Sequence, residues 1–197
     1  MRIKSYGLGN TDSISKQKGV FRMDQMYQKT ELVFYGSAGV CRITDIAPLP
    51  SATKENKLYY TLVPLFSPFA EVVYAPVQAN ALLRPLLTKA QAQDCMAQFQ
   101  TLPLLPYQTI NHKSAHAFYL EILRSYIPLS YLRLIKTLRH KALYGLPRPK
   151  LCQKEQQYLK QAETLLCGEL AVVLQTTPAQ IRAWLYAQDI TPCCVCM

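Results

Sequence analysis

The pattern of apolar residues changes near residue 88 of this 197-residue chain, and this change limits the possible folds more than any other feature. Before it, short runs rich in Val, Ile, Tyr and Phe are separated by turn-forming Gly, Ser, Pro and Asn, which is typical of antiparallel strands. After it, apolar residues recur with the period of about 3.6 residues that defines amphipathic helices. The sequence therefore predicts an α+β protein, in which a small, strongly bent antiparallel sheet or barrel precedes a helical bundle.

The predicted elements follow this pattern. Strands are predicted over 31–35, 39–47, 57–66 and 70–77, with turn residues between them. Helices are predicted over 89–99, 114–126, 128–143 and 154–175, and a short last helix follows Thr177-Pro178. Thr88 and Gln91 have the spacing of a capping box, and Pro128 is a favourable residue to open a helix.

Four segments are predicted along the chain. Residues 1–26 are polar and are expected to form a flexible extension. A β domain over 27–87 and a helical domain over 88–188 follow, and 189–197 form a Cys-rich tail. We expect a cytoplasmic protein, because the sequence shows neither a signal peptide nor an apolar run of membrane-spanning length, and its seven cysteines show no disulfide pattern.

Positive charge is concentrated in the helical half. Ten Lys and Arg residues and two acids lie within 113–160, whereas five basic and five acidic residues balance within 31–100. The net charge is +10 and the pI is near 9.3. This distribution favours a polyanionic partner for the helices and a different partner for the strands.

The 128–143 helix is predicted to present part of this charge. Arg133, Lys136 and His140 are expected to lie opposite its apolar face, with Arg139 at the boundary. Cations at one-turn spacing can each meet a phosphate of a nucleic acid. A merely solvated basic face is the alternative interpretation.

Motifs of the common enzyme classes are missing from the sequence. There is no Walker loop, no Gly-x-Gly-x-x-Gly and no HExxH. The three histidines lack a Cys or carboxylate at the spacing of a metal site or catalytic triad. We therefore expect a non-enzymatic protein without a cofactor or metal. The last four residues of the C-terminal Cys193–Met197 formally fit a prenylation motif, and its three thiols could bind a soft metal, but an unstructured tail is the favoured interpretation.

Several stretches of the sequence resemble a known family. Residues 31–46, 58–66, 72–77 and 82–92 resemble the polymerase-interacting module of CarD-type bacterial transcription regulators, and the same module occurs in the transcription-repair coupling factor. Residues 119–142 and 156–185 resemble the helical domain of CarD proteins. The most specific parts are Tyr-Gly-x-x-Gly-Val-Cys at 35–41 and Ala-Glu-x-Leu-Leu-x-Gly-Glu-Leu-Ala at 162–171. The absence of helicase motifs excludes the coupling factor itself.

The resemblance implies a Tudor- or SH3-like β-barrel that docks on a lobe of the RNA polymerase β subunit by strand addition. It also implies that the helical domain contacts promoter DNA at the upstream edge of the melted −10 region and stabilises the open complex. His112 stands where well-studied relatives carry a tryptophan that wedges into the minor groove, so contacts with phosphates are expected to dominate here. The expected protein is a monomer without a membrane partner.

The resemblance and the charge pattern together give candidate site residues. The polymerase-binding candidates are Arg42, Val72, Val73, Tyr74 and Pro76. The DNA-binding candidates are His112, Lys113, Arg124, Arg133, Lys136, Arg139 and Lys141. Within the docking strand, the Val73 N–H is the candidate donor to the polymerase, and Tyr74 stands where some relatives carry arginine. Two other classes stay open: a protein-interaction adaptor whose basic bundle is only solvated, and an RNA-binding factor.

Overall fold

A computed structural model of the chain describes residues 27–48, 57–67, 71–78, 82–106, 112–145, 149–188 and 190, with the backbone alone at 112–114. The predicted flexible extension at 1–26 lies outside the described residues, as do residues 191–197 of the predicted Cys-rich tail. Within the described residues, five strands are followed by five helices. This order confirms the predicted α+β class.

The strands and helices lie close to their predicted bounds. The strands are β1 (Leu32–Tyr35), β2 (Gly39–Pro48), β3 (Leu58–Pro64), β4 (Val73–Pro76) and β5 (Leu83–Pro85). The helices are α1 (Lys89–Ala97), α2 (His112–Arg124), α3 (Pro128–Tyr144), α4 (Gln153–Leu174) and α5 (Pro178–Ala187). The Gln91 N–H donates to the Thr88 hydroxyl, and the Thr88 N–H donates to the Gln91 side chain, which confirms the predicted capping box of α1.

The five strands form one antiparallel sheet in the order β4-β3-β2-β1-β5. A bulge between Ile43 and Asp45 bends β2. Buried apolar side chains from all five strands meet in one cluster, so the sheet curls around its own core: Val33, Cys41, Ile43, Tyr60, Leu62, Ala75 and Leu83. Among the strands that the structure describes, no pairing joins β4 to β5. The sheet is therefore bent and open there, and the predicted barrel is not confirmed.

Helix α4 lies at the centre of the bundle, and the other four helices pack against it. Its Leu166 and Leu170 are fully buried in one apolar cluster with residues of those helices. Phe34 of β1 and Val40 of β2 belong to the same cluster, so the sheet packs directly on the bundle. Of the helices in the described residues, none is both long enough and apolar enough to cross a membrane.

Candidate partner-binding surfaces

Among the described strands, β4 pairs with β3 alone and is therefore one edge of the sheet. Val72, which precedes the strand, is 47 % exposed, and Tyr74 is 52 % exposed. Ala75 between Tyr74 and Pro76 is fully buried in the core of the sheet. The strand therefore alternates between core and solvent, and its backbone edge is accessible.

Hydrogen bonding to β3 decides which amides of this edge point outward. The Val77 N–H donates to the Leu58 carbonyl, with an N···O distance of 2.9 Å. Backbone groups alternate in direction along a strand, so the Val73 N–H also points to β3. The expectation that Val73 supplies the donor to a partner is therefore wrong. Tyr74 points its N–H group away from β3 and carries the outward donor of β4, and the exposed Val72 lies just before the paired residues.

The opposite edge of the sheet, β5, has fewer outward N–H groups that a partner strand could bind. It has three residues and ends at Pro85, which has no N–H. The Gly36 N–H donates to the Leu82 carbonyl, so the outward amide of β5 belongs to Leu83, which is buried. The β4 edge is thus the accessible one, and Pro76 ends its row of donors.

Arg42 lies on the same face of the sheet as Tyr74. It is opposite Val63 of β3, whereas Tyr74 is opposite Thr61 of the same strand. Opposed residues point to the same side of a sheet, and so do residues two apart along a strand. The exposed side chains of Arg42 and Tyr74 are therefore brought together on one face, two strands apart.

Lys136 is buried, with 7 % exposed, and its ammonium group binds inside the protein. Its Nζ donates to the carbonyls of Phe99, Gln100 and Leu102 at 2.9, 2.8 and 2.9 Å. These carbonyls lie just after α1, in the segment that leaves the helix, and are outside its intrahelical hydrogen bonds. Lys136 therefore stabilises the end of α1 and the turn after it.

Arg139 has the same role at the end of α5. It is 8 % exposed, and its guanidinium donates to the carbonyls of Leu185 and Tyr186. The guanidinium carbon also lies 4.3 Å from the centroid of the Tyr186 ring. Burial lowers the pKa of Arg139. Its charge is compensated by the carbonyls and by the ring.

Arg133 and Lys141 are partly buried and also bind within the protein. Arg133 Nε donates to the Pro103 carbonyl at 2.9 Å, and burial lowers the pKa of its guanidinium. The Lys141 ammonium lies 2.6 Å from a Glu155 carboxylate oxygen, and these side chains are 16 % and 3 % exposed. Burial would raise the pKa of Glu155, but the hydrogen bonds from Lys141 and from the Cys152 N–H outweigh it, so the pKa is lowered. This ion pair joins α3 to the first turn of α4.

The prediction of a solvent-facing basic side of α3 is therefore wrong for Lys136 and Arg139, and His140 is buried as well. The helical period gives the direction of a side chain but not what covers it. Here the carboxyl ends of α1 and α5 cover this side of α3, and their carbonyls favour cationic donors. Lys136 and Arg139 cannot meet phosphates while they bind these carbonyls.

Other cations of the charge-rich region are exposed in the described residues, and we call them the α2–α4 basic surface: Arg124, Lys150, Lys154 and Lys160. Arg124 ends α2, Lys150 precedes α4, and Lys154 and Lys160 lie in the first half of α4. Helices α2 and α4 pack against each other. His112 and Lys113 open α2, but their side chains lie outside the described residues. Within 113–160, the described cations that are exposed thus lie on or just before α2 and α4, whereas those of α3 are buried or partly buried.

Two residues outside the candidate set, Arg84 and Glu169, join the sheet to the bundle. The guanidinium of Arg84 on β5 donates to both carboxylate oxygens of Glu169 on α4, at 2.5 and 2.7 Å. Glu169 is fully buried, and the Arg84 side chain is 14 % exposed. Both residues lie in stretches that carry the resemblance to the CarD family, and this was the sequence signal that could have pointed to them. The sequence does not show that they pair, because 85 positions separate them.

Glycines let the sheet and α4 approach each other. Gly36 and Gly39 adopt positive φ angles of 42° and 73° in the turn between β1 and β2. A Cβ on Gly39 would lie 3.2 Å from Leu165 of α4. On α4, a Cβ on Gly168 would lie 2.9 Å from the ring of Phe66. Gly39 of the first specific motif and Gly168 of the second therefore permit this close contact.

A comparison of the chain with protein-family models gives no match. A comparison with curated proteins gives none either. Support for the roles that the resemblance implies therefore comes from three observations: the residues quoted for the resemblance, the β4 edge and the α2–α4 basic surface.

Proposed function

We propose that the chain is a non-enzymatic transcription regulator of the CarD type, which bridges RNA polymerase and promoter DNA in the bacterial cytoplasm. The β4 edge adds a strand to the polymerase β subunit, and the α2–α4 basic surface holds the DNA backbone with little sequence specificity. In this proposal the bent sheet is a Tudor-like barrel, and binding modulates the stability of the open complex.

The observation that carries the proposal is the open β4 edge. A sheet edge with outward N–H groups is a template for a further strand, and most soluble proteins cover or shorten such an edge. At β4, Tyr74 combines an outward N–H with an exposed aromatic side chain, and the exposed Val72 lies just before the strand. Arg42 adds a cation on the same face, which can meet an acidic side chain of the partner.

The Tyr74→Pro substitution tests strand addition, because it removes an outward N–H and leaves the bonds to β3 in place. Tyr74→Thr is the matched control, since it changes the same side chain but keeps the N–H and a high β propensity. We expect Tyr74→Pro to weaken binding to the purified β subunit about tenfold more than Tyr74→Thr does, in biolayer interferometry. Equal affinities of two folded variants would count against strand addition.

A protein-interaction adaptor without DNA contact is the second candidate function. The observation that favours it is the internal use of Lys136 and Arg139, which removes two predicted cations from the surface. In this case the β4 edge binds a protein partner as before. The remaining exposed cations then serve only solubility.

The salt dependence of duplex binding distinguishes the two candidates. Each phosphate that a cation neutralises contributes about −0.9 to the slope of log affinity against log salt. We expect Lys154→Gln with Lys160→Gln to flatten the slope by about 2, because two phosphate contacts are lost. Lys57→Gln with Lys89→Gln removes the same charge elsewhere on the exposed surface and is the control. Equal slopes for both pairs, or no duplex binding at all, would support the adaptor.

A further inference from the structure

Arg84 connects three parts of the protein. From β5 its Nε donates to the Tyr126 carbonyl just after α2, at 3.2 Å. Its two terminal nitrogens bind Glu169 of α4, and one of them also donates to the Pro85 carbonyl at 3.1 Å. The guanidinium carbon lies 4.0 Å from the centroid of the Phe34 ring of β1. The side chain is therefore held from the sheet and from two helices at once.

Glu169 receives donors from the segment that leads from the sheet into the bundle. Besides Arg84, the Leu87 N–H donates to its Oε1 at 3.2 Å. A bidentate pair between a guanidinium and a carboxylate is satisfied in one planar geometry. Because Glu169 is fully buried, a tilt of the sheet relative to α4 would break both bonds and leave a buried charge without its partner.

We propose that Arg84 and Glu169 form a latch that holds the β4 edge and the α2–α4 basic surface in one fixed relative orientation. The functional part of this inference rests on the proposed function. A fixed orientation makes the two surfaces one bivalent site for a polymerase bound to its promoter. Once one partner is bound, the contact with the other partner is intramolecular. Its strength depends on whether the relative orientation of the two surfaces permits both contacts at once. Arg84 is thus a positioning residue that touches neither partner.

The Glu169→Gln variant tests the latch, because it removes the charge and keeps the shape of the side chain. Glu155→Gln is the matched control. The Lys141–Glu155 pair has a similar length and similar burial, but it lies within the bundle. Both variants should lower the thermal midpoint, since each leaves a partly buried cation without its carboxylate.

The first measurement is the distribution of distances between the sheet and the bundle. Spin labels on non-natural residues at Leu58 of β3 and Gln157 of α4, both exposed, report this distance by double electron–electron resonance. We expect the distribution to broaden in Glu169→Gln and to stay unchanged in Glu155→Gln. Arg84→Lys keeps the charge but not the planar fork, so it should broaden the distribution as well. Unchanged widths in the Glu169 and Arg84 variants would overturn the latch.

The second measurement is binding to each partner alone and to both together. Glu169→Gln should leave the affinities for the isolated β subunit and for duplex DNA unchanged, and weaken binding to promoter-bound polymerase about tenfold. A parallel loss in all three assays would mean a role in stability alone and would overturn the positioning role. If the wild-type protein binds neither partner, the proposed function fails, and the distance measurement still decides whether the latch exists.

Discussion

Lys136 and Arg139 act on helix ends from inside the bundle. An ammonium group is costly to bury unless it is hydrogen-bonded, and Lys136 has three carbonyl acceptors. Its Nζ also lies 5.5 Å from the centroid of the Phe99 ring. Lys136 therefore satisfies carbonyls just after α1, and Arg139 satisfies carbonyls of the last turn of α5.

The Lys136→Met substitution tests this structural role. Met keeps much of the apolar stem and removes the donor, so three carbonyls lose their partner. We expect the free energy of unfolding to fall by about 3 kcal/mol, because hydrogen bonds to charged groups are among the strongest in proteins. Lys154→Met, at an exposed position of α4, should change it by no more than about 0.5 kcal/mol. Urea denaturation followed by circular dichroism measures both, and similar losses for the two variants would refute the buried role.

Buried apolar positions follow from the sequence more directly than buried cations do. The four solitary cysteines at 41, 95, 152 and 167 stand in apolar stretches, which predicts small apolar core residues, and Cys41, Cys95 and Cys167 are buried. Burial raises the pKa of each buried thiol to about 12. Cys152, at the N-cap of α4, is exposed, so the prediction is wrong for this residue. The position of a cation such as Lys136 depends on which distant backbone packs against it, and no local pattern contains that information.

At the scale of elements, the turn between β1 and β2 fixes how the sheet meets α4. Gly39 has a φ of 73° and a ψ of −137°, a conformation that other residues rarely adopt. Tyr35 and Gly39 pair across this turn. The turn is therefore a place where one side chain would disturb both the sheet and its contact with the bundle.

The Gly39→Ala substitution should destabilise the protein by about 2 kcal/mol, because backbone strain of this kind costs about 1 to 3 kcal/mol and the new methyl group would crowd Leu165. Ser37→Ala is the control, since Ser37 is exposed in the same turn and its change should stay within about 0.5 kcal/mol. The midpoint of urea denaturation gives both values. A Gly39→Ala protein as stable as the control would mean that the turn tolerates a side chain.

Most elements could be predicted from the sequence, but their arrangement could not. The four predicted strands and the helix starts at Thr88, Pro128 and Thr177 appear in the structure, because period and capping are local properties. Strand β5 was not predicted, since it has three residues and contains Pro85. The outward direction of the Tyr74 amide depends on pairing with β3, which is not local.

At the scale of the whole molecule, the sheet and the bundle share apolar and ionic contacts. Phe34 and Val40 lie in the core of the bundle, and Arg84 binds α4 beside them. The predicted boundary between the β domain and the helical domain, at residues 87 and 88, therefore lies next to the packed contact between the sheet and the bundle. The proposed bridging function requires such a contact, because both partners must be reached at once from a defined geometry.

Photocrosslinking from position 74 tests the central claim, that the β4 edge binds RNA polymerase, most directly. The photoreactive residue replaces Tyr74 in cells that make the protein naturally, and a second variant carries it at Leu143, an exposed position at the end of α3. After illumination, mass spectrometry identifies the proteins joined to each variant. We predict an adduct with the polymerase β subunit from position 74 and none from position 143. An adduct with a different protein, or a β-subunit signal no stronger than that from position 143, would contradict the account.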